Sequence, residues 1–168
     1  MSNRIIRSFG GSDVLRDYLV SLFVAEAMNP SRELYLISPF LSNAPLIENR
    51  HNQYTDVFPM IKSKTIYLSD ILSTLAWKGM TVRIICDHER EETKPLIEAL
   101  YHQVDFRKLE QNHDKGLVTD HIFVHGSMNF TYSGIYLNKE SIRTTANQSE
   151  VNEALIAFRQ RWEEADAI

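Results

Sequence analysis

Residues 112–131 read as two short strand-like runs joined by a polar turn and followed by a Gly126-Ser127-Met128-Asn129 corner. The runs lie within residues 112–120 and His121-Ile-Phe-Val-His125, and the turn near Asp120 is too short for a crossover, so the pair must be antiparallel. Upstream, the pattern differs. Glu33-Leu-Tyr-Leu-Ile-Ser38, stopped by Pro39, is a compact apolar run of the kind expected of a buried central strand, Thr81-Val-Arg-Ile-Ile-Cys86 is the next strand, and 104–109 returns as a third. Helices alternate with these strands. Ser69 and Asp70 cap one with Ile71, Leu72 and Leu75 inward and Gly79 as its stop, and Pro95 opens another with Leu96, Ile97, Leu100 and Tyr101 inward.

The flanks complete the pattern. Ser12 is placed to cap a helix running to about Met28, whose Leu15, Tyr18, Leu19, Leu22 and Phe23 form one apolar stripe. Residues 141–145 make a last strand, and Val151, Ala154, Leu155, Phe158 and Trp162 mark a closing helix from about Ser149. The expected fold is therefore α/β, a mixed central β-sheet flanked by helices on both faces, in one domain over residues 1–168. No internal repeat or linker divides the chain.

Composition narrows the setting. The 43% hydrophobic and 24% charged content of these 168 residues is that of a soluble globular protein with a sizeable core. Cys86 is the only cysteine, so no disulfide framework exists, and its place in an apolar run makes it a core residue in a reducing compartment. No run approaches the roughly 20 apolar residues that span a bilayer, and residues 1–4 lead into no secretory segment, which predicts a cytoplasmic protein without membrane contact. A net charge of −4 argues against a nonspecific nucleic-acid sponge.

The chemistry gathers at the antiparallel pair. In an extended strand His113 and Lys115, two apart, place imidazole and ammonium on one side. A neutral imidazole attacks phosphorus and an ammonium holds the anionic oxygens, while Ser127 and Asn129 add short hydrogen-bond donors. A metal site built from His113, His121, His125 and Asp120 is the competing reading. It is disfavoured because Phe123 separates His121 from His125 on their shared face, which leaves those two as hydrogen-bonded strand residues or cleft lining.

His113-x-Lys115-x4-Asp120, then Gly126-Ser127-x-Asn129 and Asn138-Lys139-Glu140, resembles the signature of the phospholipase D superfamily of phosphodiesterases. The resemblance implies a phospholipase D-like fold and a reaction with neither metal nor cofactor. His113 would form a phosphohistidine, Lys115 and Asn129 would bind the nonbridging oxygens with help from Ser127, and Glu140 would accept from the second nitrogen of His113. Asp120 and Gly126 would support the motif structurally, since a carboxylate aimed at phosphate repels it.

In that family a second histidine protonates the leaving group, yet none of the histidines at 51, 88, 102, 121 and 125 has a lysine two residues on. The chain carries half a site, so the resemblance implies a two-fold homodimer. Single-motif members include nucleases, which makes nucleic acid the expected substrate and leaves a phospholipase without support. The alternative is a non-cleaving or partner-dependent nucleic-acid-binding subunit of a larger system, with phage defence as the setting by analogy. Residues 40–64, with Asn43, Pro45, Asn49, Asn52 and Pro59, form a long connection. It reads either as a lid whose Arg50, His51, Lys62 and Lys64 touch substrate phosphates or, equally, as a surface insertion or dimer contact.

Overall fold

In the computed structural model, which describes residues 3–168, the apolar run at 33 forms β2 (Glu33–Ile37), buried from Leu34 onward as a strand covered on both faces requires. β5 (Thr81–Ile85) and β6 (Asp105–Lys108) follow parallel to it, reached through the crossover helices α2 (Leu68–Trp77) and α3 (Lys94–Leu100). On the other side of β2 every pairing is antiparallel: β7 (Gly116–Thr119), β8 (Phe123–Gly126), β9 (Ser141–Thr145) and the edge strand β1 (Arg4–Arg7). With β10 (Asp166–Ala167) on β6, the eight-stranded order is β1-β9-β8-β7-β2-β5-β6-β10. The expected mixed α/β sheet with helices on both faces is what the chain forms.

One face packs on α1 (Val14–Met28), α2 and α3, with Leu15, Leu19, Leu22, Phe23, Ile71, Leu72 and Leu96 in its core. The other face is covered by α4 (Gln148–Glu164), whose Val151, Leu155, Phe158 and Trp162 meet Tyr35, Ile37, Ile85 and Val118. Alternation along β2 and β5 sends successive residues to opposite cores, so each strand stitches the two together. Asn147 caps α4 through its side chain, which accepts from the Glu150 N–H at 3.1 Å.

Three expectations are corrected. Helix α1 starts at Val14 with Asp13 as N-cap, and the Ser12 hydroxyl instead accepts the Phe9 N–H, closing the turn before it. The strand of the motif starts at Gly116, so His113 and Lys115 lie in an extended lead-in rather than within the strand. Residues 40–64 are not a structureless lid. β3 (Pro45–Glu48) pairs antiparallel with β4 (Thr65–Tyr67) in a separate ribbon packed on α1 and α2, and between them Phe58 is fully buried. A bulge near Pro45 and the turn-rich composition hid that ribbon from periodicity.

Trp162 is the largest side chain that α4 contributes to its core. It is 5% exposed, meets Tyr35 edge-on at 6.5 Å and lies under the Arg107 guanidinium at 4.4 Å. Trp162→Ala should cost about 3–5 kcal/mol of unfolding free energy, read by urea denaturation, because no other described helix covers this face.

Candidate active site

The motif residues meet along one edge of the sheet. Because β2, β5 and β6 run parallel, their C-terminal ends share that edge, where ligands commonly bind in α/β sheets. Antiparallel pairing brings the start of β7, the end of β8 and the start of β9 to the same edge. His113, Lys115, Gly126, Ser127, Asn129 and Glu140 all lie there. Gly126 donates its N–H to the Lys115 carbonyl at 3.4 Å, which sets the two halves of the motif side by side.

The lead-in is fastened at several points. Asn112 Oδ1 accepts the Asp114 N–H at 3.2 Å, Arg161 of α4 holds Asp114 at 2.8 Å, and Lys115 Nζ leans back to the His113 carbonyl at 3.3 Å. The His113 imidazole is exposed and makes no hydrogen bond among the described residues. Its ring is available to a substrate.

The corner after β8 owes its shape to close approaches. A Cβ on Gly126 would collide with the Ser141 carbonyl, and one on Gly134 would collide with the Asn129 carbonyl, so neither position admits a side chain without movement. Gly134 belongs to a π-helical turn, Ser133–Leu137, of the kind that recurs beside functional sites. Phe40 N–H points at the Asn129 side chain at 3.3 Å, and a backbone donor fixes the atom it meets as Oδ1. The Asn129 Nδ2 donors are left without a partner among the described residues.

Ser127 has one proton, and it goes to Glu140 Oε1 at 2.8 Å; its oxygen accepts the Ser141 N–H at 3.0 Å. Asn138 Nδ2 donates to the other Glu140 oxygen at 3.3 Å. Glu140 is thus held by Ser127 and Asn138 and makes no bond to His113, in contrast to the role expected of it, and Ser127 orients Glu140 rather than presenting a free donor.

Asp120 stands at the opposite end of β7. Its Oδ2 accepts the Arg32 backbone N–H at 2.8 Å and Arg32 Nε at 3.2 Å, tying the β7–β8 turn to the start of β2. Burial raises its pKa, but the bonds and charge of Arg32 outweigh that and leave it below the ordinary carboxylate range. Next to it, His121 Nδ1 meets buried Glu26 at 3.0 Å and the Ser31 hydroxyl at 3.0 Å. His125 stacks on Phe123 at 4.5 Å, and burial followed by the Arg143 charge lowers its pKa. Histidines 113, 121 and 125 do not converge, and among the described residues no three His, Cys, Asp or Glu side chains gather as metal ligands.

Cys86, buried at the end of β5, has its thiol pushed up to about 12 by burial and then by Asp87, as befits a core residue. Arg50 pairs with Glu48 at 3.1 Å on the ribbon, and among the described residues neither it nor His51, Lys62 or Lys64 bonds a motif side chain. Sequence reading missed Ser38, whose hydroxyl accepts the Phe130 N–H at 2.9 Å and fixes the corner to the end of β2. It also missed Phe40, Arg90 and Tyr132, which line a cleft of about 390 Å³ with Asn129. A polar residue directly after a buried parallel strand was the available signal for Ser38.

The profile of a family described as cardiolipin synthase, PLD-like domain, matches residues 44–162, most of the chain and the whole motif. The chain belongs to the phospholipase D superfamily. No curated protein matches the sequence. Among solved structures, NucT from Helicobacter pylori superposes with a TM-score of 0.67 at 16% identity, over 99% of this chain and 100% of that one. Nuc from Salmonella typhimurium, a phospholipase D family member, gives 0.66 at 16% identity over 99% and 97%. A polyphosphate kinase from Porphyromonas gingivalis gives 0.66 at 15% identity, over 97% of this chain and 26% of that one. These likenesses establish a phospholipase D-like fold over the described chain. Among the described residues no helix is long and apolar enough to cross a membrane.

A carboxylate whose folded pKa is depressed contributes stability in full above the ordinary carboxylate range and loses it as pH falls to the folded value. Asp120→Asn should therefore lower unfolding free energy by about 1 kcal/mol at pH 7. The gap to wild type should close as pH drops below about 4, measured by urea titration at each pH.

Proposed function

We propose that this single phospholipase D-like domain is a cytoplasmic, metal-independent nuclease that works through a phosphohistidine in a homodimeric site. The observation that carries the reading is the unbonded, exposed His113 imidazole beside Lys115, on the same sheet edge as Asn129, whose amide donors are unpartnered among the described residues. His113 attacks phosphorus, forming a P–N bond as the P–O bond to the leaving oxygen breaks. Lys115 and Asn129 hold the nonbridging oxygens, where charge accumulates in the transition state. The leaving oxygen takes a proton from His113 of the second copy, which then deprotonates the water that cleaves the P–N bond and regenerates the first imidazole.

Two-fold symmetry is required because the sequence supplies one H-x-K and the reaction needs two histidines. Glu140 and Ser127 support the corner from beneath, with Asp120 and Gly126 fixing the hairpin. Arg50, His51, Lys62 and Lys64 on the ribbon offer added charge to a long substrate. Fold likeness to Nuc and NucT, the first named for its place in the phospholipase D family, accords with the nuclease reading.

Cleavage of labelled single- and double-stranded DNA and RNA in EDTA, with the native mass measured alongside, tests the proposal. Wild type should cut as a dimer, and His113→Ala should lose at least about 10³-fold in rate while melting at the wild-type temperature. A folded dimer that cuts nothing would point instead to a subunit that waits for a partner protein.

A further inference from the structure

The cleft beside Asn129 is unlike a phosphate site. Its walls are Phe40, Ser42, Arg90, Asn129, Tyr132 and Asn138, enclosing about 390 Å³, at the lower end of the range for small-molecule pockets. Phe40 is 44% and Tyr132 49% exposed, a large aromatic surface to leave in water at the mouth of a reactive edge. The Arg90 guanidinium lies 4.0 Å from the Phe40 ring centroid, and its charge is paired with Glu92 at 3.0 Å. Stacking planes with neutralised charge suit a flat uncharged ring rather than an anion.

Rims of the cleft supply what a ring's polar edge needs. The Ser42 oxygen already accepts the Tyr132 N–H at 3.0 Å, which leaves its proton to donate, and Asn138 presents its amide oxygen while Nδ2 is on Glu140. Asn129 lines the cleft and is also the residue proposed to hold the phosphate oxygens, so a ring in the cleft would adjoin the reacting phosphate.

We infer that this cleft holds one unpaired nucleobase, stacked against Tyr132 and the Phe40–Arg90 pair, so that the enzyme takes nucleic acid where the strand is single at the scissile position. The inference rests on the phosphodiesterase reading and specifies its substrate. A base in a duplex is stacked on both faces and paired along its edge, and it enters the cleft only after unstacking. A lipid phosphodiester brings no ring to stack.

Fluorescence anisotropy with the full chain carrying His113→Ala, in EDTA, separates these cases. Labelled single-stranded oligonucleotide should bind at least about 10-fold tighter than the same strand annealed to its complement. Adding Tyr132→Ala should weaken single-strand binding by about 10-fold and leave duplex binding unchanged, whereas Tyr132→Phe should keep wild-type affinity because the ring, not the hydroxyl, is used. Equal affinity for single strand and duplex, or indifference of single-strand binding to Tyr132→Ala, would overturn the inference.

The two proposals fail separately. Cleavage in EDTA that needs His113 but prefers duplex and ignores Tyr132→Ala keeps the nuclease and removes the base cleft. Tyr132-dependent single-strand binding with no His113-dependent cleavage keeps the cleft and removes the enzyme.

Discussion

The pairing of β2 with β7 is the constraint from which the site follows. Parallel strands end together, and only a strand running back against them can begin where they end. The register sets Ile37 opposite Gly116, so Ser38 and Lys115 lie just beyond the last pair, on the edge that carries the motif. A slip of one residue would turn every side chain of β7 to the wrong core. Gly116 helps exclude it, since a Cβ there would lie 2.6 Å from the Val124 carbonyl and 3.2 Å from the Phe158 ring. Leu117 and Val118 then divide between the two cores, which makes the hairpin a part of both.

This register explains the spacing of the motif. The four residues between Lys115 and Asp120 are the four residues of β7, so the motif crosses the sheet from its reacting edge to its far edge. At roughly 3.3 Å per residue that separates lysine from aspartate by about 16 Å. Asp120 therefore acts on the fold, clamping the turn to Arg32, while His113 and Lys115, to which the chemistry is assigned in the proposed reading, stand at the other end of the strand. One sequence signature encodes a hairpin with an exposed end and an anchored end.

Elements whose signals are local were legible in the sequence. The apolar runs at 33 and 81, the helix stripe from Leu15, the start of α3 at Pro95 and the antiparallel hairpin all appear where periodicity and turn chemistry put them. Edge elements were not, because strands this short hold too few residues to show a periodicity: β1 reads Arg-Ile-Ile-Arg, with no alternation, and β10 has two residues. The ribbon of 45–67 is held by Phe58 and by the Asn49 amide bonding the Ser63 carbonyl at 3.1 Å, contacts that no window of a few residues contains. Within the site, residue identities were readable and partnerships were not. That Glu140 binds Ser127 rather than His113 depends on where β9 begins relative to the corner, which only the folded register fixes.

Charge around the reacting edge is lopsided, and this bears on how a polyanion reaches it. A smaller cleft of about 170 Å³ lies on the β6 side, lined by Asp87, Lys108, Glu110 and Asn112. There a single ammonium, that of Lys108, is shared among Glu89 at 3.2 Å, Glu110 at 3.5 Å and Asp87 at 3.9 Å. One cation among three carboxylates leaves that flank negative, and a phosphate backbone is repelled from it. On the Asn129 side the acidic group, Glu92, is matched by Arg90, and the surface is aromatic. The two clefts share Phe40, so on the proposed reading a strand that avoids the acidic flank would run along the Phe40 and Tyr132 wall. On that reading, repulsion on one side and stacking on the other favour the same path, and the placement of negative charge would let an acidic protein direct a polyanion.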